Sequence, residues 1–162
     1  MTMNPIELNQ AREDAAQLIM SLEGFRSHAY LDSNNVKTIG YGSTIDNRGY
    51  AIKLYDTCTR EQARAYLDYH MKKYVYPQLE KFGGSLPPKI YGALCSLLYN
   101  VGSLGPKMRE ALFNKRWGQL PELFREYDKI KGIGTIEGLK NRREKEIAYF
   151  SESRDEEDDK KA

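Results

Sequence analysis

The chain has 162 residues, 40% of them hydrophobic and 30% charged, with a formal net charge of +2 at neutral pH. That length supports one globular domain with a real core, or two small lobes, and no run of about 18 apolar residues offers a transmembrane helix. Two cysteines, Cys58 and Cys95, are too few for a disulfide scaffold and make no metal-ligand pattern.

The charge is unevenly spread. Residues 151–162 carry six acids and three bases, which leaves the first 150 residues at +5. Such a body is drawn toward anionic polymers by long-range attraction, although an ordinary solvated surface explains the same balance. The first twenty residues have neither a basic n-region nor an apolar h-region, so no secretory leader is expected.

Asn4-Pro5-Ile6-Glu7 reads as a helix start, with Asn as N-cap, Pro in the first turn and Glu three residues after the cap. Leu8, Ala11, Ala15, Leu18, Ile19 and Leu22 then recur at helical spacing, and Gly24 suits a left-handed cap. From Phe25 to about Tyr55, glycine, asparagine and β-formers dominate. Ser33-Asn34-Asn35 is read as a turn between strands around Ala29–Leu31 and Val36–Tyr41.

Thr59-Arg60-Glu61-Gln62 is a capping box opening a second, long helix that carries Ala63, Tyr66, Leu67, His70, Met71 and Tyr74 on one stripe. After Pro77, Gly83-Gly84 and Pro87-Pro88, the residues Ile90, Ala93, Leu94, Leu97, Leu98 and Val101 give the strongest helical stripe, the expected central core helix. Cys95 within it is expected to be a buried free thiol. Further helices are expected at about 106–115, 118–128 and 139–150, with a Gly-rich loop at 131–138. The outline is a helix, a β-rich lobe over about 25–57 and a helical lobe from 1–24 and 76–150. Residues 151–162 read as a charged, disordered tail, and a cleft is expected where the lobes meet.

Three residues stand out chemically. A carboxylate at Glu23 faces the negative end of its helix dipole, which favours the protonated form a general acid needs, and burial at a lobe junction would add to this. Asp32 precedes the hairpin turn and Thr38 lies on the returning strand, so a hairpin brings both side chains to one place, where they can orient a water molecule. Taken singly, each has an ordinary reading: a helix-end surface Glu, a turn-capping Asp and a strand Thr.

Together, Glu23, eight residues, Asp32, five residues, Thr38 and then Ile39-Gly40-Tyr41-Gly42 resemble the catalytic signature of the phage-type lysozymes, glycoside hydrolase family 24. Three further segments are similar to the family: the core helix ending in Tyr99-Asn100-Val101-Gly102, Lys115-Arg116-Trp117, and Gly138-Leu139 with Arg142-Arg143 and Glu146. The resemblance covers about residues 6–150. It implies a lysozyme-like α+β fold and a muramidase that hydrolyses the β-1,4 bond between N-acetylmuramic acid and N-acetylglucosamine with inversion. Glu23 would be the general acid, and Asp32 with Thr38 would position the attacking water. Arg142 matches a family arginine that pairs with the catalytic Glu, and such a partner opposes the helix-end effect on its proton. Gly42, Thr44, Tyr99 and Asn100 fall where the family contacts the sugar chain. No cofactor and no metal are implied.

Two positions depart from the family pattern. Ser43 stands where a structural His is common, which predicts a difference in stability, and Met108 lies near a position often held by Ser at the cleft edge. Of the tyrosines, Tyr41 and Tyr99 are the candidates for stacking on sugars. His28 and His70 lack a third ligand at metal-site spacing, and His70 is expected in the core with a hydrogen bond. Arg142-Arg143 is too small a cluster to suggest nucleic acid. The expected partner is the peptidoglycan glycan strand, bound by a monomer without membrane insertion. The resemblance further implies synthesis in a host cytoplasm and action on the periplasmic cell wall after holin-dependent release. A lytic transglycosylase would not need the Asp32 and Thr38 pair, and a silent peptidoglycan-binding module would not need all three residues.

Overall fold

The computed structural model describes residues 2–82, 84–130 and 132–161, with side chains through Ser151. The chain forms two compact units: Ala16–Gln78, and Met1–Ala15 together with Leu79–Ala162. Helix α1 (Pro5–Glu23) begins as its sequence dictates. Asn4 Oδ1 accepts the Glu7 N–H at 2.8 Å, and the Glu7 carboxylate accepts the Asn4 N–H at 3.1 Å, so two N-terminal donors are satisfied reciprocally. Gly24 ends the helix at φ +71°.

In the unit Ala16–Gln78, strands β1 (Arg26–Leu31) and β2 (Lys37–Gly40) form an antiparallel hairpin with Tyr30 opposite Thr38 and Leu31 opposite Lys37. Asn35 takes the left-handed conformation in the turn, at φ +62°. Ile39 and Ser43 then pair by two backbone hydrogen bonds of 2.9 Å around Gly40-Tyr41-Gly42. Asp46 organises the next loop. Its carboxylate accepts the backbone N–H groups of Arg48 and Tyr50 and the Arg48 guanidinium at 2.7 Å. Burial pushes this carboxyl's pKa up, but those hydrogen bonds outweigh burial and hold it below its ordinary 3.8.

Helix α2 (Arg60–His70) opens with the capping box of Thr59 and Gln62. A Cβ on Gly40 would lie 2.8 Å from the Ala63 Cβ, so only glycine lets this hairpin meet α2 so closely. The core of the unit is Ile39, Tyr41, Ile52, Cys58 and Ala63, with Met20, Phe25, Ala29 and Tyr66 packed against it. The helix continues as a π-helical stretch, Met71–Val75, into α3 (Tyr76–Glu80). Pro77 explains the wide turn: it has no N–H to give the ladder. The Tyr76 N–H instead reaches back to Met71 O, and the Gln78 side chain donates to Tyr74 O at 2.7 Å.

In the other unit, α4 (Pro88–Val101) is buried from Ile90 through Leu98. It packs against α7 (Glu137–Lys161). Met108, Ala111 and Leu112 of α5 (Pro106–Phe113) and Leu120 and Phe124 of α6 (Leu120–Arg125) are also buried. Each of the buried Leu, Phe and Met side chains contributes about 1.5–3 kcal/mol by leaving water. Cys95 is a buried free thiol, and burial raises its pKa.

The later boundaries differ from the sequence reading. Helix α5 stops at Phe113 because Lys115 turns left-handed, at φ +53°. The stretch expected as one helix at 118–128 is a short 3-10 turn, Trp117–Gln119, followed by α6. The expected Gly-rich loop holds a small hairpin of β3 (Lys129–Ile130) and β4 (Gly134–Thr135), turned by Gly132 and Gly134 at positive φ. The backbone of α7 runs on to Lys161 rather than ending near residue 150. The side chains of the expected tail beyond Ser151 lie outside the described residues. Among the described residues no helix is long and apolar enough to cross a membrane.

Candidate active site

All three residues of the catalytic signature, with Gly42 and Thr44, lie in the unit Ala16–Gln78. Glu23 is the last residue of α1, half-buried, and its carboxylate is pressed against Gly42. A Cβ on Gly42, which sits at φ +81°, would lie 2.9 Å from Glu23 Cδ and would collide with Oε2. Glycine is required there twice over, for its backbone conformation and for the space the carboxylate occupies. The family comparison alone read Gly42 as a sugar contact; the structure adds a contact with the acid.

Asp32 does cap the hairpin turn. Its Oδ1 accepts the N–H groups of Asn34 at 2.8 Å and Val36 at 2.9 Å. Both bonds fall on one oxygen, and Oδ2 takes none of them. The capping and the catalytic readings are therefore compatible, since one oxygen fixes the side chain while the other stays available. Thr38, on β2, is 4% exposed and donates its hydroxyl hydrogen to Val36 O at 2.8 Å. Its lone pairs remain as acceptors. Thr44 is exposed, and its carbonyl accepts the Ile52 N–H at 3.1 Å.

Tyr30, which the sequence did not single out, belongs to this cluster together with Arg26 of the signature segment Glu23-Gly24-Phe25-Arg26. Register places Tyr30 opposite Thr38, two residues before Asp32. The Arg26 guanidinium lies over the Tyr30 ring, 4.5 Å from its centroid. Partial burial holds the Tyr30 phenol above its ordinary 10; Arg26 pulls it down, and the charges of Glu23 and Asp32 push it up. Counting two residues back from Asp32 would have found Tyr30.

Tyr41 is corrected. It is 8% exposed, with its ring 5.5 Å from that of Phe25, and serves the core instead of presenting a face to sugars. His70 is half-buried rather than a full core residue, with its ring 5.1 Å from Tyr74, and burial lowers its pKa from 6.5. Ser43 is 3% exposed, and its hydroxyl has no hydrogen-bond partner among the described residues.

Tyr99, Asn100 and Arg142 belong to the other unit. Tyr99 and Asn100 are half-buried on the last turn of α4, and Asn100 Oδ1 has no hydrogen-bond partner among the described residues. Arg142 on α7 reaches Ser96 Oγ at 3.3 Å and Ser96 O at 3.4 Å, with its Nε 3.5 Å from the Glu146 carboxylate. Glu146 is the hub of this cluster and is fully buried. It accepts Ser96 Oγ–H at 2.5 Å and both Nε and Nη2 of the equally buried Arg143, at 2.5 and 3.1 Å. The spacing Arg-Arg-x-x-Glu places all three on neighbouring turns, but only the fold reveals Ser96 as their partner. Met108 is buried at 1% exposure, so this departure from the family is filled by core packing. Among the described residues no group of three His, Cys, Asp or Glu side chains is placed to hold a metal.

The sequence profile of the family described as Phage lysozyme matches residues 20–146. The chain is 28% identical over 144 residues to an endolysin of Acyrthosiphon pisum secondary endosymbiont phage 1, covering 85% of this chain and 95% of that protein. Among solved structures, it is similar to an endolysin from Escherichia coli O157:H7 phage FAHEc1, with 29% identity and a TM-score of 0.62 over 86% of this chain and 91% of that one. It is also similar to a P22 lysozyme, with 26% identity and a TM-score of 0.70 over 93% of this chain and 98% of that one. The α+β fold is thus lysozyme-like. With its signature carboxylates held on one hairpin and one helix end, the chain belongs to the phage lysozyme family and is a glycoside hydrolase of the muramidase type.

Proposed function

We propose that the protein hydrolyses the β-1,4 bond between N-acetylmuramic acid and N-acetylglucosamine in peptidoglycan, with inversion at the anomeric carbon. Glu23 donates its proton to the leaving glycosidic oxygen. Water attacks the anomeric carbon from the opposite face and gives its proton to Asp32, and solvent exchange then restores both carboxyl groups. Asp32 Oδ2 and the Thr38 lone pairs accept the two hydrogens of that water. The observation that carries this reading is the division of labour at Asp32, where both backbone hydrogen bonds fall on Oδ1. Thr38 pairs with Tyr30, two residues before Asp32, and has hydroxyl lone pairs to spare. In this reading Gly42, Thr44, Tyr99 and Asn100 are sugar-contacting residues, and Arg142, held by Ser96 and Glu146, is a supporting residue.

In its biological setting the protein acts on the cell wall of the host in which it is made, after release from the cytoplasm, and causes lysis. The stereochemical claim is tested by proton NMR of fresh product. The α-anomer at the new reducing end is expected first; initial formation of the β-anomer would replace Asp32 as water-holder with Asp32 as nucleophile. Asp32→Asn should abolish turnover while leaving the melting temperature within a few degrees, because Oδ1 still caps the turn.

A further inference from the structure

Five cations of the unit Ala16–Gln78 lie over aromatic rings: Arg26 on Tyr30, Arg48 on Tyr50, Lys53 on Tyr55, Arg60 on Phe25 and Lys73 on Tyr69 and Tyr74. Stacking alone therefore distinguishes none of them. Arg48 is neutralised by Asp46 at 2.7 Å. Arg26 differs in place and in charge. It stands three residues after Glu23, its ring partner lies opposite Thr38 and two residues before Asp32, and it forms no ion pair with another described residue. The side chain is exposed, and a Cβ built on nearby Gly24 would meet nothing within 4 Å, so the space beside it is open.

We propose that Arg26, mounted on the Tyr30 ring, is a specificity-determining residue that binds a carboxylate of the substrate's peptide stem. The stack holds the guanidinium plane without consuming its five N–H donors, and that planar fork matches a carboxylate bidentately. Peptidoglycan differs from uncharged glycans of the same linkage in carrying carboxylates on its stems. The inference rests on the reading of Glu23 and Asp32 as the catalytic pair.

The test compares wild type, Arg26→Gln and Arg60→Gln on native soluble peptidoglycan strands and on the same strands with stem carboxylates converted to amides. Arg60 is the control, a stacked cation of the same unit outside the cluster. Arg26→Gln should raise KM on native strands about fivefold, the scale of an exposed charge pair. On amidated strands it should match wild type, whose own KM has risen to the same level. Arg26→Lys, which keeps the charge and loses the fork, should fall between. An equal KM penalty on both substrates, or an equal rise with Arg60→Gln, would overturn the proposal. Release of no reducing ends by wild type from either polymer would instead overturn the muramidase reading beneath it, so the two failures are distinct.

Discussion

Glu23 and Glu146 are both glutamates on helices, yet the molecule treats their charges in opposite ways. Glu146 is fully buried and every oxygen is occupied, by Arg143 from one turn away and by Ser96 from another helix. Glu23 is half-buried at a helix end, set against the bare backbone of Gly42, and Asp32 nearby spends only one oxygen on its turn. Full burial with both oxygens bonded makes the Glu146 carboxylate a structural fastening, whereas Glu23 and Asp32 stay partly exposed to solvent. The unit carrying Glu146 spends charge on holding helices together; in the proposed mechanism the unit carrying Glu23 keeps it for chemistry.

The contrast can be broken by exchanging the kind of loss each residue causes. Glu23→Gln should cut turnover by about 10²–10⁴-fold, the usual worth of a general acid, while its thermal melt stays close to wild type. Glu146→Gln should do the reverse. It leaves Arg143 buried without its counter-charge and should cost about 3–5 kcal/mol of stability by denaturant unfolding. A Glu146→Gln protein as stable as wild type would contradict the fastening role.

Gly42→Ala sharpens the comparison, because it acts on Glu23 without touching its chemistry. The left-handed backbone costs roughly 1–2 kcal/mol for a residue with a Cβ, and the methyl must displace the carboxylate. Kinetics should show kcat falling by more than the stability loss explains. Unchanged kcat would mean that the contact does not position the acid.

Smaller effects are expected at two other sites. Burial holds the His70 imidazole below 6.5, so the unfolded chain takes up a proton that the folded chain resists. Stability should be fully present above pH 6.5 and fall as pH drops below it; melts of wild type and His70→Asn between pH 7.5 and 5.5 should converge toward the acid end. Ser43→Ala removes a buried hydroxyl with no hydrogen-bond partner among the described residues and should stabilise the protein by about 1 kcal/mol. A clear destabilisation would show that the hydroxyl holds a water.

Much of this architecture could be read from neighbouring residues. The reciprocal bonds of Asn4 and Glu7, the capping box at Thr59, the left-handed Gly24 and the turn at Asn35 each depend on contacts four residues apart or fewer, and each stands where local chemistry puts it. Harder to foresee were features set by distant partners. Tyr41 looks like a cleft residue until Phe25 is packed on it, and Glu146 looks like a surface helix residue until Ser96, fifty positions earlier, meets it. Pro77 was visible as a break, yet the helix absorbs it by widening into a π turn. The signature spacing singles out Glu23, Asp32 and Thr38 as candidates, but not the close contact of the Glu23 carboxylate with Gly42.

The central claim is that Glu23 protonates the leaving group of a hydrolysed glycosidic bond. Mass spectrometry of the products from purified peptidoglycan, comparing wild type with Glu23→Gln, tests it most directly. Reducing N-acetylmuramic acid ends from wild type, and almost none from the variant at equal folded concentration, is the predicted result. Anhydro ends from wild type, or equal reducing ends from both proteins, would contradict it.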